Sequence, residues 1–254
     1  MSTIRVYIGW DSRETAAYHV LAHSIIARSS LPVAITPVGN AVLQPELWWR
    51  EKGPHDSTEF SNARFMVPAL AGYEGWALFM DCDMVCLDDL AELWNQRDER
   101  FAVMVRKHNH VPTETRKFLG AEQSRYARKN WSSLMLLNCG HPDTRGLTPD
   151  YVNGAAGLDL HGFAWTTEGN IGELAGTWNE LVIAGRATQK ASLPHFTEGG
   201  PWHGYAGIAY AEAWCEELDA MLSDANPRAD SSYRRRFGAA SEGIEYQVRF
   251  QRGE

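Results

Sequence analysis

Cysteine is scarce: there are four in 254 residues, at positions 82, 86, 139 and 215, with no Cys-x-x-Cys pair. That spacing supports neither a zinc site nor a disulfide framework. Cys139 and Cys215 read instead as small buried apolar residues. Long apolar runs are missing too. Trp76–Met80 is one of the longest, far short of the roughly 20 residues that cross a bilayer. The opening Met-Ser-Thr-Ile-Arg-Val-Tyr-Ile-Gly has no basic, apolar and cleavage-site succession, so no signal peptide is expected. Free thiols and a cytoplasmic location fit that reading. A basic excess is also lacking, with 24 Lys+Arg against 32 Asp+Glu and a net charge of −8. Nucleic acid is therefore not expected as a partner, because its phosphates must be met by Lys and Arg. The one dense basic cluster, Tyr233-Arg234-Arg235-Arg236-Phe237, allows at most a peripheral membrane contact.

What remains is the composition of a globular chain that can bury a core, 44% hydrophobic and 22% charged. Ile4–Gly9 alternates and is β-branched, so it reads as a strand. Asp11 and Glu14 then fit a capping box, followed by one helical face of Tyr18, Leu21, Ala22 and Ile25. Val33–Val38 is a second strand, completing a βαβ start and implying a parallel sheet with helices on its faces. Residues 39–57, with Gly39, Pro45, Gly53 and Pro54, form an irregular excursion. Thr58 can cap a helix carrying Phe60, Ala63, Val67 and Leu70, kinked at Pro68. Trp76–Met80 has the continuous apolar pattern of a central strand buried on both faces. A short helix over 88–94, strands over 101–105 and 133–137, and a Thr148-Pro149 helix start follow. Ile208, Ala211, Cys215, Leu218 and Leu222 form a late amphipathic stripe. No repeat or linker divides the chain. The expected fold is α/β, a single domain over 1–254 with a Rossmann-like, mostly parallel sheet.

Asp81-Cys82-Asp83 directly follows the central strand. In extended chain the two carboxylates project to the same side. They do so at the C-terminal edge of the sheet, where open α/β sheets bind ligands. Paired hard oxygens suit Mg²⁺ or Mn²⁺ shared with substrate phosphates; a solvated loop or a helix cap is the plainer alternative. The second constellation is Leu193 to Trp202. There His195 could reach a metal while Gly199-Gly200 brings bare backbone to phosphate; a packed histidine is the plainer reading. Trp202 reads as packing.

In this order the segments resemble family-eight-type glycosyltransferases of the GT-A fold, bacterial branch. They are Ile4–Gly9 with Asp11, the helix with Arg64, Ala77–Asp83, Asp88–Trp94, Asn130–Asn138, Ile171–Leu174 with Trp178-Asn179, and His195–Trp202. The resemblance covers roughly residues 4–205. It implies residues 4–100 as a nucleotide and metal half, 101–205 as a donor-sugar and acceptor half, and 206–254 as a C-terminal helix and tail. It implies that Asp81, Asp83 and His195 hold Mn²⁺ (or Mg²⁺), the nitrogen ligand favouring Mn²⁺. It further implies that Asp11 and Arg64 contact the nucleotide-sugar donor, that Ser132 lies in the sugar segment, and that Gly199 and Gly200 approach the diphosphate. Asp83 and Arg64 are the expected catalytic residues, with Glu173 or Glu168 standing in for an acidic-Gln-Asp stretch that is not recognisable here. Two departures stand out. Gly200-Pro201-Trp202 replaces the usual Lys-Pro-Trp, leaving Lys107, His108, Arg128 or Lys129 to meet the phosphate charge. Trp131-Ser132-Ser133 replaces an Asn-x-Gly.

The implied activity is metal-dependent transfer of a sugar from a nucleoside diphosphate, UDP by expectation, to a hydroxyl of a glycan, lipid-linked or small-molecule acceptor. Retention of anomeric configuration is part of the resemblance. The alternatives are a nucleotide-sugar-binding protein without transferase activity and a metal-dependent phosphohydrolase. Oligomeric state is not legible.

Overall fold

A computed structural model describes residues 3–53, 56–108 and 128–224. The basic cluster around Arg235 lies outside the described residues. The elements in chain order are β1 (Ile4–Gly9), α1 (Thr15–Arg28), β2 (Val33–Val38), α2 (Val67–Leu70), β3 (Trp76–Met80), α3 (Leu90–Trp94), β4 (Val103–Val105), β5 (Leu134–Asn138), α4 (Pro142–Arg145), α5 (Pro149–Gly154), α6 (Gly157–His161), β6 (Ile171–Glu173), β7 (Trp178–Leu181), β8 (Leu193–His195) and α7 (Ala211–Asp224). Six strands form one sheet in the order β2-β1-β3-β5-β4-β6. β2, β1 and β3 pair in parallel, β5 runs against both β3 and β4, and β4 pairs in parallel with β6. The sheet is thus mostly parallel and flanked by helices, as the βαβ pattern implies. β7 and β8 form a separate parallel pair.

All five residues of β3 are buried. This is what an uninterrupted apolar run achieves when strands cover both of its edges and helices or loops both faces. The main core spreads from Ile4, Val6 and Ile8 through Leu78 and Phe79 to Leu136 and Phe163. A second cluster joins α1 to α7 and to the residue just after β8 through Val20, Phe196, Trp214 and Leu218. At the end of β1 the chain needs Gly9, because a Cβ there would sit 2.5 Å from the Phe60 ring.

The structure corrects several local expectations. There is no capping box at Asp11 and Glu14. The helix starts at Thr15, and Glu14 occupies the N-cap position without a side-chain cap. Asp11 instead accepts from Arg13 (Nε 2.9 Å, Nη2 2.6 Å) and from the Glu59 backbone N–H at 3.0 Å. With both oxygens already engaged by the Arg13 guanidinium and by the backbone N–H groups of Arg13 and Glu59, the carboxylate does not cap the helix. The helix expected from Thr58 resolves into a 3-10 turn, Ala63–Met66, then α2. Pro68 kinks nothing; it sits in the first turn of α2, where its missing N–H would be unpaired anyway. Along α7 the buried side is carried by Trp214, Glu217 and Leu218, while Leu222 is exposed. The stripe through Leu222 misplaced that face because it left Trp214 out. Thr148 caps α5 as expected, accepting from the Tyr151 N–H at 3.2 Å.

Candidate metal centre and substrate cavity

Sheet pairing continues one residue past β3: the Asp81 N–H donates to the Ser133 carbonyl at 2.9 Å. That bond fixes the first carboxylate at the sheet edge. β8 then lies alongside the chain that leaves the edge, with Phe196 N–H to Asp83 O at 2.8 Å and Val85 N–H to Pro194 O at 3.3 Å. A bridge between Met84 and His195 completes the alignment. His195 is thereby carried from a distant part of the chain to the carboxylates, its Nε2 3.2 Å from Asp83 Oδ1 and 3.9 Å from Asp81 Oδ2. One ligand atom from each of the three residues lies within 4.8 Å of the others. Asp83 Oδ1 is buried and makes no well-formed hydrogen bond. Two hard oxygens, the one on Asp83 buried without a hydrogen bond, and an imidazole nitrogen are a donor set that suits a divalent cation.

The imidazole is oriented from behind. Asn179, at a left-handed φ of 61°, donates from Nδ2 to the Asn130 carbonyl at 3.1 Å. A carbonyl only accepts, so Asn179 Oδ1 must face the ring; it lies 2.7 Å from His195 Nδ1. Nδ1 therefore carries the proton, and the Nε2 lone pair is left for a cation. Burial works against the charged ring, yet Asp83, with Asp81, holds the His195 pKa above its ordinary value. Burial raises the Asp81 pKa; Arg64 opposes it and the Asp83 charge adds to it.

Arg64 is buried. Its Nη1 reaches Asp81 Oδ1 at 2.7 Å and the Ser132 carbonyl at 3.0 Å, and its Nε reaches the Ser61 carbonyl at 2.9 Å. Its guanidinium lies 5.2 Å and 5.0 Å from the Phe60 and Phe79 ring centroids. The acidic pair opens onto a cavity of about 120 Å³ whose wall includes Glu14, Arg64, Lys129, Thr197 and Gly199. A second cavity of about 420 Å³ shares Arg64, Asp81, Asn130 and Ser133 with it, and adds Ser132 and His161.

Other expected residues lie elsewhere. Asp11 is fully buried in its contacts with Arg13 and Glu59 and is not part of either cavity wall. Glu173 sits on β6 with its side chain 55% exposed, 3.8 Å from Arg106. Glu168 pairs with Arg128 and Lys107. Neither glutamate lines the two cavities. His108 is half-buried, and its pKa is pushed down to about 4 by partial desolvation and by the neighbouring His195, which disfavours a charge there for an anion. Of the four basic candidates, Lys129 is the one on the cavity wall. Gly199 lines the cavity, whereas Gly200 is bare for the sake of packing: a Cβ there would meet the Trp202 ring at 2.0 Å. Trp202 itself packs between Phe196 and Trp214.

Glu14 is the cavity-wall carboxylate that sequence reasoning missed, because a glutamate three residues after an aspartate reads as a helix cap. It is buried on the cavity wall and takes a hydrogen bond from Cys82 Sγ at 3.4 Å. Burial first, and the charge of Asp83 second, push its pKa from 4.5 up to about 8. The folded state therefore holds this proton more tightly than the unfolded chain. Its stabilising share is complete below pH 4.5 and is lost as pH rises toward 8. In the presence of a chelator, the advantage of Glu14→Gln over the parent in unfolding free energy, read by urea denaturation, should grow steadily from pH 5 to pH 8, by on the order of a few kcal/mol. An advantage that stays constant over that range would count against a buried proton here.

In overall shape the chain is similar to solved GT-A-type glycosyltransferases. It matches the bifunctional enzyme WbbM at a TM-score of 0.62 and 14% identity, covering 85% of this chain and 50% of that one. It matches an active-site mutant of LgtC at 0.59 and 15%, covering 85% and 96%. It matches GlyE of Streptococcus pneumoniae at 0.58 and 11%, covering 88% and 63%. The fold is therefore that of the GT-A glycosyltransferases. No family model matches the chain. It is 41% identical over 235 residues to protein CDI of Arabidopsis thaliana, spanning 90% of this chain and 91% of the relative, and it belongs to the family of that protein.

Proposed function

We propose that the protein is a metal-dependent glycosyltransferase that moves a sugar from a UDP-linked donor to a hydroxyl acceptor with retention of configuration. The observation that carries this reading is the convergence of Asp81, Asp83 and His195 at the sheet edge of a GT-A fold. LgtC, which shares that fold, is a galactosyltransferase solved with donor and acceptor sugar analogues. The family-eight-type placement rests on the order of motifs. The bacterial branch rests on the same resemblance, while the named relative is a plant protein. Asp81, Asp83 and His195 would hold a divalent cation, Mn²⁺ for preference, which would supply Lewis acidity toward the departing diphosphate. Arg64 keeps Asp81 in place and neutralises its surplus charge. Lys129 faces the same cavity and takes the phosphate-neutralising role that Gly200 leaves vacant. Gly199 offers bare backbone beside it. In this reading residues 4–100 are the nucleotide and metal half, 101–205 the donor-sugar and acceptor half, which also sends His195 to the metal, and 206–254 the C-terminal helix and tail.

The test is a panel of UDP-sugars incubated with Mn²⁺, with EDTA controls, scoring sugar transfer and donor hydrolysis. Turnover at least about tenfold above the chelated control is expected for one or more donors. Tight nucleotide binding without any turnover would favour a binding protein. Release of inorganic phosphate from simple esters, with no need for nucleotide, would favour a phosphohydrolase.

A further inference from the structure

His161, the last residue of α6, takes no part in the metal centre. Its Nδ1 lies 2.8 Å from Ser132 Oγ. Its ring stands edge-on to Phe65, with centroids 5.2 Å apart at 81°, so its orientation is held from the core side. Ser132 is 3% exposed. Its carbonyl accepts from the same Arg64 nitrogen that binds Asp81. One continuous chain of contacts thus runs from a metal-binding carboxylate to His161, and both Ser132 and His161 line the 420 Å³ cavity.

A serine hydroxyl has one proton to donate and two lone pairs. The imidazole occupies one of these functions and fixes the χ1 rotor. What Ser132 has left is either an acceptor or a donor, depending on the tautomer of His161. A ligand hydroxyl, which both donates and accepts, is satisfied in either case; a phosphate oxygen or a cation only in one. The cavity is of the size that encloses a small polar ligand and adjoins the place where the diphosphate would lie. We propose that His161 is a positioning residue that aims the Ser132 hydroxyl at a ring hydroxyl of the donor sugar, and that this second cavity receives that sugar. The inference rests on the glycosyltransferase reading above and adds to it a residue that decides how well the sugar, as distinct from the nucleotide, is held.

The experiment is titration calorimetry in saturating Mn²⁺ with UDP, UDP-glucose, UDP-galactose, UDP-N-acetylglucosamine and UDP-xylose. The quantity of interest is the affinity that the sugar adds over UDP alone. His161→Phe keeps the ring packed on Phe65 but has no nitrogen. It should leave UDP affinity within about twofold and lower the sugar's increment about tenfold. His161→Asn, whose amide can reach the Nδ1 position, should recover most of the loss. Ser132→Ala should lose as much as His161→Phe, and the double variant no more than either, because both remove one interaction. Steady-state kinetics should show the His161→Phe defect in KM for the donor. Equal weakening of UDP and UDP-sugar, an intact increment in His161→Phe, or additive losses in the double variant would each overturn the proposal. So would a parent protein to which no sugar of the panel adds affinity while UDP binds. Failure of UDP itself to bind the parent with Mn²⁺ would instead bring down the glycosyltransferase reading.

Discussion

Asp83→Ala is expected to lower Mn²⁺-dependent donor turnover about a thousandfold, the scale set by losing charge stabilisation of a leaving group. It should also abolish the rise in melting temperature that Mn²⁺ and UDP together give the parent, since a ligand that binds only the folded state stabilises it by mass action. Misfolding would not explain such a loss. Asp83 raises the pKa of both Glu14 and Asp81 by crowding negative charge into one buried place. Removing it relieves that repulsion but also takes away the partner of the His195 ring, whose attraction fades as the ring loses its proton, so above pH 7 the variant without cation should melt no lower than the parent. Loss of function thus comes with unchanged or improved stability, the usual mark of a site built for charge rather than packing. Undiminished turnover in Asp83→Ala would sink the metal assignment. A variant that no longer folds would contradict the electrostatic account.

Arg64→Met is expected to act in the opposite sense on the fold. The Arg64 and Asp81 side chains are 6% and 12% exposed. Methionine fills much of the space between Phe60 and Phe79 but leaves the Asp81 carboxylate buried without its cation. Breaking one half of a buried pair costs about 3–5 kcal/mol, because the remaining charge stays desolvated. Urea unfolding in EDTA should show this as a lower midpoint with little change in slope. Saturating Mn²⁺ should recover part of the loss, because the ion supplies the missing positive charge to Asp81. Lysine is no substitute: Arg64 serves Asp81, Ser132 and Ser61 from two nitrogens of a rigid fork, and a single ammonium does not span them. An unfolding midpoint for Arg64→Met equal to that of the parent would rule out a buried ion pair that supports the sheet edge.

How far the site was legible can be judged from particular residues. Asp81 and Asp83 could be read directly, since they follow a five-residue apolar run that becomes β3 over the same residues. Arg64 was visible only through the resemblance; from local pattern it reads equally well as a surface residue. His195 was visible as a candidate, and Asn179 only as part of the resembling segment Trp178-Asn179; its contact with the imidazole was not legible, because a positive-φ asparagine has no periodic signature. Glu14 was misread because a local cap and a long-range buried carboxylate use the same residue type. Glu173 illustrates the reverse case: a position picked for its acidity that the fold places on an exposed strand end beside Arg106.

By itself the chain order determined the βαβ start, the buried central strand and the acidic pair at its end. All three follow from residue period and branching over stretches shorter than one element, where steric preference and side-chain alternation act without knowledge of the rest of the chain. Only the tertiary structure decided that β8 would lie against the segment after Asp83, that Arg64 would be sealed between two phenylalanines, and that Ser132 would meet His161. Those pairings are chosen by the burial of apolar surface summed over the whole core, a non-local quantity that no window of sequence contains.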